Sequence, residues 1–371
     1  MKGELRNLVW LQTAFIGDVV LTSGAIALAS KHFPELRQHL ISTSAGCAVL
    51  RGSPFLQTRV PFLKRGPGGM LSLWTSFRDV KQALKNANLT YHDTVLVQVH
   101  RSLRSSLLAR FLGFRTITYD ETVGAWMAQV RVRRDRTQHE ALRVASLLAP
   151  LGVSQSEILG VKVCLDSFPL DGAASWKKDL ASFKGKIVAF AVGSQWGTKR
   201  WPIESYGRLA ELLFQQEALA LLLIGSADEK NLTDLLEARL SESFPQRKVW
   251  NLAGSTSFDE LRSIFPRLSL LVSNDSSPVH FASAFNTPTL AIFGPTVPRF
   301  GFGPLAEKSR IAEHAHLSCR PCSDHGPQTC PLKHFRCMKE LEPRAVYELA
   351  CELLEDGEPA HGVFDQDPTH S

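Results

Sequence analysis

The chain lacks the features that mark several large classes of protein. None of its apolar runs reaches the roughly 18 uninterrupted residues of a membrane-spanning helix, so we expect no integral membrane protein. No Gly-x-Gly-x-x-Gly follows the first predicted strand, which disfavours a dinucleotide-dependent dehydrogenase. Zinc-finger spacing, an aromatic RNA-binding signature and heptad repeats are also missing. Nucleic acid therefore ranks low among the expected partners.

The N-terminal segment gives the first indication of the cellular compartment of the protein. Leu8 opens an early apolar run, but Gln12, Thr13 and then Asp18 interrupt it where the apolar core of a signal peptide would continue. We therefore expect a cytosolic protein whose first strand lies at residues 7–13.

Length and composition favour two globular α/β domains. The 371 residues are long for one domain and sufficient for two, each with its own core. An apolar content of 44% and a charged content of 21% are ordinary for a soluble enzyme. Short apolar runs alternate with longer amphipathic stretches, which is typical of parallel α/β units. The predicted strands are 8–11, 39–43, 94–99, 115–119, 186–192, 218–224, 249–252, 268–272 and 288–293, and the predicted helices include 19–32 and 102–112.

Residues 163–174 mix an extended piece with turn-forming residues and mark the predicted domain boundary. We predict an N-terminal domain over residues 1–170 and a C-terminal domain over residues 171–350. Residues 351–371 would hold the end of a terminal helix and a poorly ordered tail.

The net charge of +6 is unevenly distributed, because arginines are concentrated between residues 101 and 136. Only Asp120, Glu121 and Asp135 lie among them. Clustered guanidinium groups bind nucleic acid, anionic lipid headgroups, or substrates that carry phosphate or carboxylate groups. A solvated surface is the alternative interpretation. The arginines are Arg101, Arg104, Arg110, Arg115, Arg131, Arg133, Arg134 and Arg136.

An acidic residue follows the first predicted strand. The pair Gly17-Asp18 lies where the strand leads into the first helix, at the sheet edge where open α/β sheets bind ligands. A carboxylate at this position could accept a proton from an attacking hydroxyl. Capping of the following helix is the alternative role.

The loop at residues 193–204 has the composition of a phosphate-binding loop. Its small and hydroxyl residues allow the backbone to approach a phosphate, and Lys199 and Arg200 supply positive charge. A solvated basic pair is the alternative interpretation. Further along the chain, Ser257 and Glu260 form a capping box that predicts a helix start.

A second candidate anion site lies at residues 273–280, directly after an apolar run. Ser276 and Ser277 can cap a helix, and Pro278 suits its first turn, so free backbone amides there would face a phosphate. An ordinary buried strand-to-helix corner can have the same composition.

The order and spacing of five short motifs resemble glycosyltransferase family 9, the ADP-heptose:lipopolysaccharide heptosyltransferases, and most closely the heptosyltransferase II branch. The resemblance extends over about residues 6–350. It implies a GT-B fold, in which two Rossmann-like, doubly wound parallel-sheet domains face each other across a cleft. The acceptor would be held mainly by the N-terminal domain and the nucleotide sugar by the C-terminal domain. The motifs are 16–18, 199–202, 252–257, 274–280 and 293–296.

The resemblance also implies roles for individual residues. Asp18 matches the family's proposed catalytic base, which deprotonates an acceptor heptose hydroxyl for in-line attack that inverts the anomeric carbon. Lys199 matches the lysine that neutralises the diphosphate, and Gln195 departs from the hydroxyl residues often found at its position. The expected donor-binding residues are Ser194, Gln195, Lys199, Arg200, Thr256, Asp275, Ser276, Ser277 and His280.

Substrates and surroundings follow from the same resemblance. The donor would be ADP-L-glycero-D-manno-heptose and the acceptor a heptose of the lipopolysaccharide inner core. Lys199 and helix-start amides would stabilise the departing ADP, so no metal cofactor is expected to be required. Because the inner core is rich in carboxylate and phosphate, Arg101 and Arg104 become candidate acceptor-binding residues. The enzyme would be cytoplasmic, in peripheral contact with the inner membrane.

Four of the seven cysteines are clustered near the C-terminus. Their spacing begins with Cys-x-x-Cys, and a cytosolic setting argues against disulfides. Such a set could bind structural zinc or an iron–sulfur cluster, although the second pair is spaced too loosely for a standard zinc knuckle. Reduced thiols that pack a loop are the alternative. The four are Cys319, Cys322, Cys330 and Cys337.

Two other classes of function remain open from the sequence. A GT-B relative that acts on another nucleotide sugar, as a core glycosyltransferase or an epimerase, would share the domains and the C-terminal anion loops. An epimerase would not need Asp18 to face an acceptor. A non-catalytic protein that binds nucleotide sugar or lipopolysaccharide would bind the ADP-sugar without releasing ADP.

Overall fold

A computed structural model describes residues 5–63, 70–216 and 218–355 of the chain. The chain divides into two compact units. Unit 1 comprises Met1–Asp166 together with Pro298–Gly303, and unit 2 comprises Ser167–Val297 and the chain from Pro304 onward. The tail predicted after Glu355 lies outside the described residues.

Unit 1 is built on a six-stranded parallel sheet with the order β3-β2-β1-β4-β5-β6. Its strands are β1 Asn7–Leu11, β2 Arg37–Ser42, β3 Thr58–Pro61, β4 Thr94–Gln98, β5 Arg115–Tyr119 and β6 Val130–Val132. Its helices are α1 Ile16–His32, α2 Ser44–Val49, α3 Met70–Asn86, α4 Leu103–Leu112, α5 Glu140–Ser146 and α6 Gln155–Leu159. This strand order is that of a doubly wound, Rossmann-like sheet, as predicted.

Unit 2 repeats the same arrangement, with the order β12-β11-β10-β7-β8-β9 and parallel pairing throughout. Its strands are β7 Lys186–Ala191, β8 Leu219–Leu223, β9 Val249–Asn251, β10 Leu270–Asn274, β11 Thr289–Phe293 and β12 Ser309–Glu313. Its helices are α7 Ser175–Ser182, α8 Ile203–Leu213, α9 Lys230–Ser243, α10 Phe258–Ile264, α11 Ser277–Ala284, α12 Arg336–Lys339 and α13 Pro343–Glu355.

The central strands are largely apolar and are buried along nearly their whole length, as expected where helices cover both faces of a sheet. All five residues of β1 are buried, as are all five of β8 and of β10. The nine predicted strands are present within a few residues. The strands β3, β6 and β12, which lie at the sheet edges, were not predicted from the sequence.

Local capping explains where several helices begin. The hydroxyl of Ser102 accepts a hydrogen bond from the backbone of Ser105 and starts α4, and the predicted capping box of Ser257 and Glu260 starts α10. Helix α1 begins at Ile16, three residues before the predicted start. Within the described ranges, no helix combines the length and the apolar character needed to cross a membrane.

One short segment belongs to unit 1 although its neighbours in sequence belong to unit 2. We call this segment, Pro298–Gly303, the strap. The backbone amide of Glu140 donates to the Gly301 carbonyl at 2.8 Å, and Nη1 of Arg143 donates to the Phe300 carbonyl at 3.0 Å. The start of α5 therefore fixes the strap by backbone and side-chain hydrogen bonds.

Candidate functional site

The predicted site residues follow the carboxyl ends of strands at the two points where the strand order reverses. In unit 1 the reversal lies between β1 and β4, and in unit 2 between β7 and β10. Such points form a crevice between adjacent loops, where open α/β sheets bind ligands.

Asp18 lies in the first turn of α1, directly after β1, and keeps partial solvent exposure. Burial, and then the charge of Glu140, raise its pKa from the ordinary 3.8 to about 7. Hydrogen bonds from the backbone at Phe15 and Asp18, and the charge of Arg101, act in the opposite direction. Phe15 is the N-cap residue of α1, so Asp18 also hydrogen-bonds the start of its own helix, as a capping residue does. A carboxyl with this pKa is suited to proton transfer at neutral pH.

Many of the clustered arginines are engaged in ion pairs in unit 1. Arg101 contacts Glu121 at 2.5 Å, Arg136 contacts it at 2.7 Å, and Arg134 contacts it at 3.1 Å. Arg134 also contacts Glu140 at 2.5 Å. The basic surface is therefore smaller than the sequence indicates, because these three arginines share two carboxylates. Arg104, the other candidate acceptor-binding residue, is exposed on α4.

The centre of the unit 2 site is a chain of three polar side chains. Nζ of Lys199 lies 2.6 Å from Oδ2 of Asp275, and the hydroxyl of Thr296 donates to the same oxygen at 2.6 Å. Lys199 follows β7, Asp275 follows β10 and Thr296 follows β11, so three adjacent loops meet here. Lys199 and Asp275 were predicted site residues, and the structure brings them into direct contact. The role of Thr296 was not predicted.

A buried amide fixes the loop that carries Lys199. Asn274 donates through Nδ2 to the carbonyls of Val192 and Gly193 at 2.8 and 3.3 Å. Its Oδ1 accepts from the Trp201 amide at 3.0 Å. These bonds hold both ends of the loop, because Val192 precedes Lys199 and Trp201 follows it. An asparagine at the end of a largely apolar strand is the sequence signal that could have identified this residue.

The remaining loop residues differ in exposure. Ser194 is buried, and its carbonyl accepts from Nε of Arg200 at 2.8 Å, so Arg200 braces the loop from within. Gln195 is exposed, and its backbone carbonyl accepts from Nε2 of Gln328 at 3.1 Å. The structure leaves the Gln195 side chain at the surface of this loop.

Helix α11 begins at the predicted position, but the predicted side-chain cap is not formed. Ser276 is the N-cap residue, yet its hydroxyl makes no capping hydrogen bond to the helix. The hydroxyl donates instead to the Asn274 carbonyl at 3.2 Å. Ser277 and Pro278 form the first turn, and His280 is buried further along the helix. The amides of the first turn are therefore not occupied by the Ser276 side chain.

Thr256 lies at the carboxyl end of a different strand. It follows β9 and directly precedes Ser257, the N-cap of α10. Strand β9 is the edge strand, separated from β7 by β8. Thr256 thus lies at the carboxyl ends of the strands, as Lys199 and Asp275 do, but β9 is two strands from β7 and three from β10.

The cysteine-rich loop between β12 and α12 packs against the loop that follows β11. Cys322 donates its backbone amide to the Pro295 carbonyl at 2.8 Å, and Arg320 donates to the carbonyls of Thr296, at 2.9 Å, and Gly294. All seven cysteines are free. Across residues 5–63, 70–216 and 218–355, no three His, Cys, Asp or Glu residues are grouped so that they could hold a metal ion. The set Cys319, Cys322, Cys330 and Cys337 lies within those ranges.

The family model for glycosyltransferase family 9 (heptosyltransferase) matches residues 77–334. The chain belongs to glycosyltransferase family 9. It is 31% identical over 345 residues to the lipooligosaccharide heptosyltransferase 2 of Campylobacter jejuni, a match that covers 92% of this chain and 96% of that protein.

Solved structures of family 9 members share the fold of this glycosyltransferase. The family 9 glycosyl transferase of Veillonella parvula superposes with a TM-score of 0.76 at 20% identity, covering 96% of this chain and 99% of that one. The E. coli ADP-heptose lipopolysaccharide heptosyltransferase II superposes with a TM-score of 0.73 at 20% identity, covering 94% and 98%. These similarities confirm the predicted GT-B fold class.

Proposed function

We propose that this family 9 glycosyltransferase transfers heptose from ADP-L-glycero-D-manno-heptose to a heptose of the lipopolysaccharide inner core, with inversion at the anomeric carbon. The observation that carries the proposal is the match to a heptosyltransferase 2 along 92% of the chain. Unit 1 would hold the acceptor and unit 2 the nucleotide sugar.

Unit 2 has the groups that a nucleoside diphosphate requires. Lys199 supplies positive charge, and the first turn of α11 supplies backbone amides that the Ser276 hydroxyl does not occupy. Asp275 and Thr296 hold the ammonium group in place before the ligand arrives. A fixed cation and fixed dipoles stabilise charge that develops on the departing ADP without rearrangement, so the proposal requires no metal ion. Ser194, Gln195, Arg200, Thr256, Ser277 and His280 complete the proposed donor site.

Asp18 is the proposed general base. Its pKa of about 7 means that a large share of the molecules have the carboxylate form at neutral pH, while its proton affinity far exceeds that of an ordinary aspartate. The carboxylate would take the proton of the attacking acceptor hydroxyl while the bond between the anomeric carbon and the ADP oxygen breaks. Arg101 and Arg104 would contact anionic groups of the acceptor. Arg101 is exposed, and its charge lowers the pKa of Asp18.

The surface around α4 suits peripheral contact with the cytoplasmic face of the inner membrane. Trp126 is 79% exposed, and Leu103 and Leu107 are exposed on one face of α4. The Ser106 hydroxyl donates to the Val123 carbonyl at 2.6 Å, which places the segment before Trp126 against this helix. Exposed aromatic and aliphatic side chains beside arginines bind anionic bilayers.

Vesicle sedimentation tests the membrane contact. Trp126→Ser should reduce binding to vesicles that contain anionic lipid, whereas Leu235→Ser, which removes a similarly exposed apolar side chain from unit 2, should not. Equal binding by the Trp126 variant and the unchanged protein would refute the contact at this surface.

Turnover with a panel of nucleotide sugars and a heptosylated inner-core acceptor tests the reaction. We expect ADP release with ADP-heptose that depends on the acceptor, and a product whose anomeric configuration is opposite to that of the donor. Binding without ADP release would favour the non-catalytic alternative. Turnover only with a different donor would keep the family assignment and refute the proposed substrate.

Asp18→Asn tests the base. General base catalysis contributes about 10²-fold to 10⁴-fold, so the variant should lose that factor in kcat while binding ADP normally. Full transfer activity of Asp18→Asn or Asp18→Ala would rule out this mechanism.

A further inference from the structure

We infer that the cysteine-rich loop between β12 and α12 is the outer support of the donor site, and that Gln328 on this loop is a positioning residue for Lys199. The inference rests on the proposed role of Lys199 as the cation that meets the diphosphate. The loop carries the four clustered cysteines, for which the sequence leaves a metal site and packed thiols as alternatives. Its contacts within unit 2 give it a role in donor binding.

The first part of the cysteine-rich loop is fixed to the loop that follows β11. The guanidinium group of Arg320, whose side chain is 3% exposed, donates to the Thr296 carbonyl at 2.9 Å. The backbone amide of Cys322 donates to the Pro295 carbonyl at 2.8 Å. One of the three loops at the centre of the unit 2 site is therefore held from outside by this segment.

The cysteines contribute hydrogen bonds within the loop itself. Sγ of Cys322 donates to the Cys319 carbonyl at 3.3 Å, and the Phe335 amide donates to Sγ of Cys330 at 3.4 Å. The thiols thus help to shape the segment that contacts the donor loops.

Gly326 is the residue at which the cysteine-rich loop approaches two donor loops at once. It is buried and has a φ of +79°. A Cβ added at this position would lie 3.1 Å from Cγ of Pro295, after β11, and 3.4 Å from Cγ of Lys199, after β7. The backbone at residue 326 therefore packs directly against the residue that carries the proposed diphosphate-binding charge.

Gln328 and its neighbour Pro327 hold the backbone that leads to this lysine. Oε1 of Gln328 accepts from the Gly197 amide at 3.1 Å, and its Nε2 donates to the Gln195 carbonyl at 3.1 Å. The Pro327 carbonyl accepts from the Thr198 amide at 3.4 Å and also from the Thr198 hydroxyl. A side-chain amide that bonds both a backbone donor and a backbone acceptor fixes the path of that backbone.

Lys199 is thus supported from two sides. Asn274 holds both ends of its loop from within the sheet, and Gln328 holds the middle of the loop from outside. The Lys199 amide donates to the Trp196 carbonyl at 3.0 Å, so a shift of the backbone bonded to Gln328 also moves the lysine. The Trp196 ring lies parallel to the ring of His325, with 6.3 Å between their centroids, which adds a further contact between the two loops. Gln328 therefore acts on the donor through Lys199.

Gln328→Ala tests the inference because it removes both side-chain hydrogen bonds from an exposed position, where the fold is expected to be retained. The Kd for ADP, measured by isothermal titration calorimetry, should rise about threefold to tenfold, the effect of one to two hydrogen bonds. Thr329→Ala, which truncates the exposed neighbour on the same loop, is the matched control and should leave the Kd unchanged. Equal ADP affinity of Gln328→Ala and the unchanged protein would overturn the inference.

A double-mutant cycle separates positioning of Lys199 from a general structural role. If Gln328 acts through Lys199, then adding Gln328→Ala to Lys199→Gln should raise the Kd for ADP by less than about twofold. A loss in the double variant equal to the sum of the two single losses in binding free energy would show that Gln328 does not act through Lys199.

Amide hydrogen exchange of residues 193–200, followed by mass spectrometry, reports on the loop independently of ADP. Exchange should be faster in Gln328→Ala than in Thr329→Ala, because the Gly197 amide loses its acceptor. Equal exchange in both variants would refute the support by Gln328. Loss of ADP affinity in Lys199→Gln but not in Gln328→Ala would overturn the inference and leave the proposed donor site intact. Unchanged affinity in both would refute the proposed donor site, and the inference with it.

Discussion

The ammonium group of Lys199 lies 2.6 Å from Oδ2 of Asp275. Both side chains are largely shielded from solvent, so the ion pair is only weakly screened by salt. The pair fixes the lysine at the end of β10, beside the start of α11. In the proposed donor site, a diphosphate would therefore meet a cation that is already in place and would share it with Asp275.

Lys199→Gln should weaken ADP binding by at least about tenfold, which corresponds to about 1.4 kcal/mol, because the variant loses a charge next to the proposed diphosphate position. Isothermal titration calorimetry with ADP measures the change. Lys230→Gln is the control, since Lys230 forms an exposed ion pair with Asp234 in the same unit. Equal ADP affinity of the Lys199 variant and the unchanged protein would remove Lys199 from the donor site.

Thr296→Val should lower kcat/KM severalfold while the fold is retained. The variant keeps the side-chain volume and deletes the hydroxyl that donates to Asp275, a hydrogen bond of about 1 kcal/mol. Thr289→Val is the matched control, because its equally buried hydroxyl donates to the Thr287 carbonyl just before β11, away from Asp275. We expect both variants to lose similar thermal stability and only the first to lose activity. A parallel loss of activity in both would assign Thr296 a structural role alone.

Asp18→Asn should stabilise the protein above neutral pH. The pKa of Asp18 is raised from 3.8 to about 7 in the fold, so between these values the folded state holds a proton that the unfolded state has released. The free energy of unfolding therefore falls as pH rises from about 4 to about 7, because Asp18 must ionise inside the fold. The amide of the variant stays neutral at every pH and so avoids this loss. Scanning calorimetry should show the difference in Tm between Asp18→Asn and the unchanged protein growing over that range. A variant that is equally stable or less stable at pH values above 7 would contradict the raised pKa.

Gly301→Ala should destabilise unit 1 and reduce activity. Gly301 has a φ of +94°, and an added Cβ would lie 2.7 Å from the Gln138 carbonyl oxygen and 2.9 Å from Nη2 of Arg143. Gly152→Ala is the control, because Gly152 has a φ of +107° with no atom within 4 Å of the added Cβ. Gly152→Ala should cost only the backbone strain, about 1 kcal/mol. Thermal unfolding measures both variants. Equal losses of Tm in Gly301→Ala and Gly152→Ala would show that the close packing around Gly301 does not contribute to stability.

The sequence predicted the central strands well because burial on both faces leaves a continuous apolar signal. The missed strands lie at the edges, where β6 consists of Val130, Arg131 and Val132, all at least partly exposed. A three-residue strand with a charge at its centre has no periodicity to detect. Its pairing with β5 is determined by tertiary contacts.

Site residues were predictable where chemistry and strand ends coincide. Asp18 and Lys199 each follow a clear strand, and Asp275 precedes a recognisable helix start. Thr296 was missed because its hydroxyl contacts Asp275, which lies 21 residues away in the sequence. Such contacts leave no local pattern, so only the folded chain reveals them.

The chain passes between the two units three times, at residues 166–167, 297–298 and 303–304. A single cut near residue 166 would thus yield fragments that are not the two units. The N-terminal fragment would lack the Phe300 and Gly301 carbonyls, and the donors on Arg143 and Glu140 would lose their acceptors. Expression of either half alone is therefore expected to give an incomplete unit.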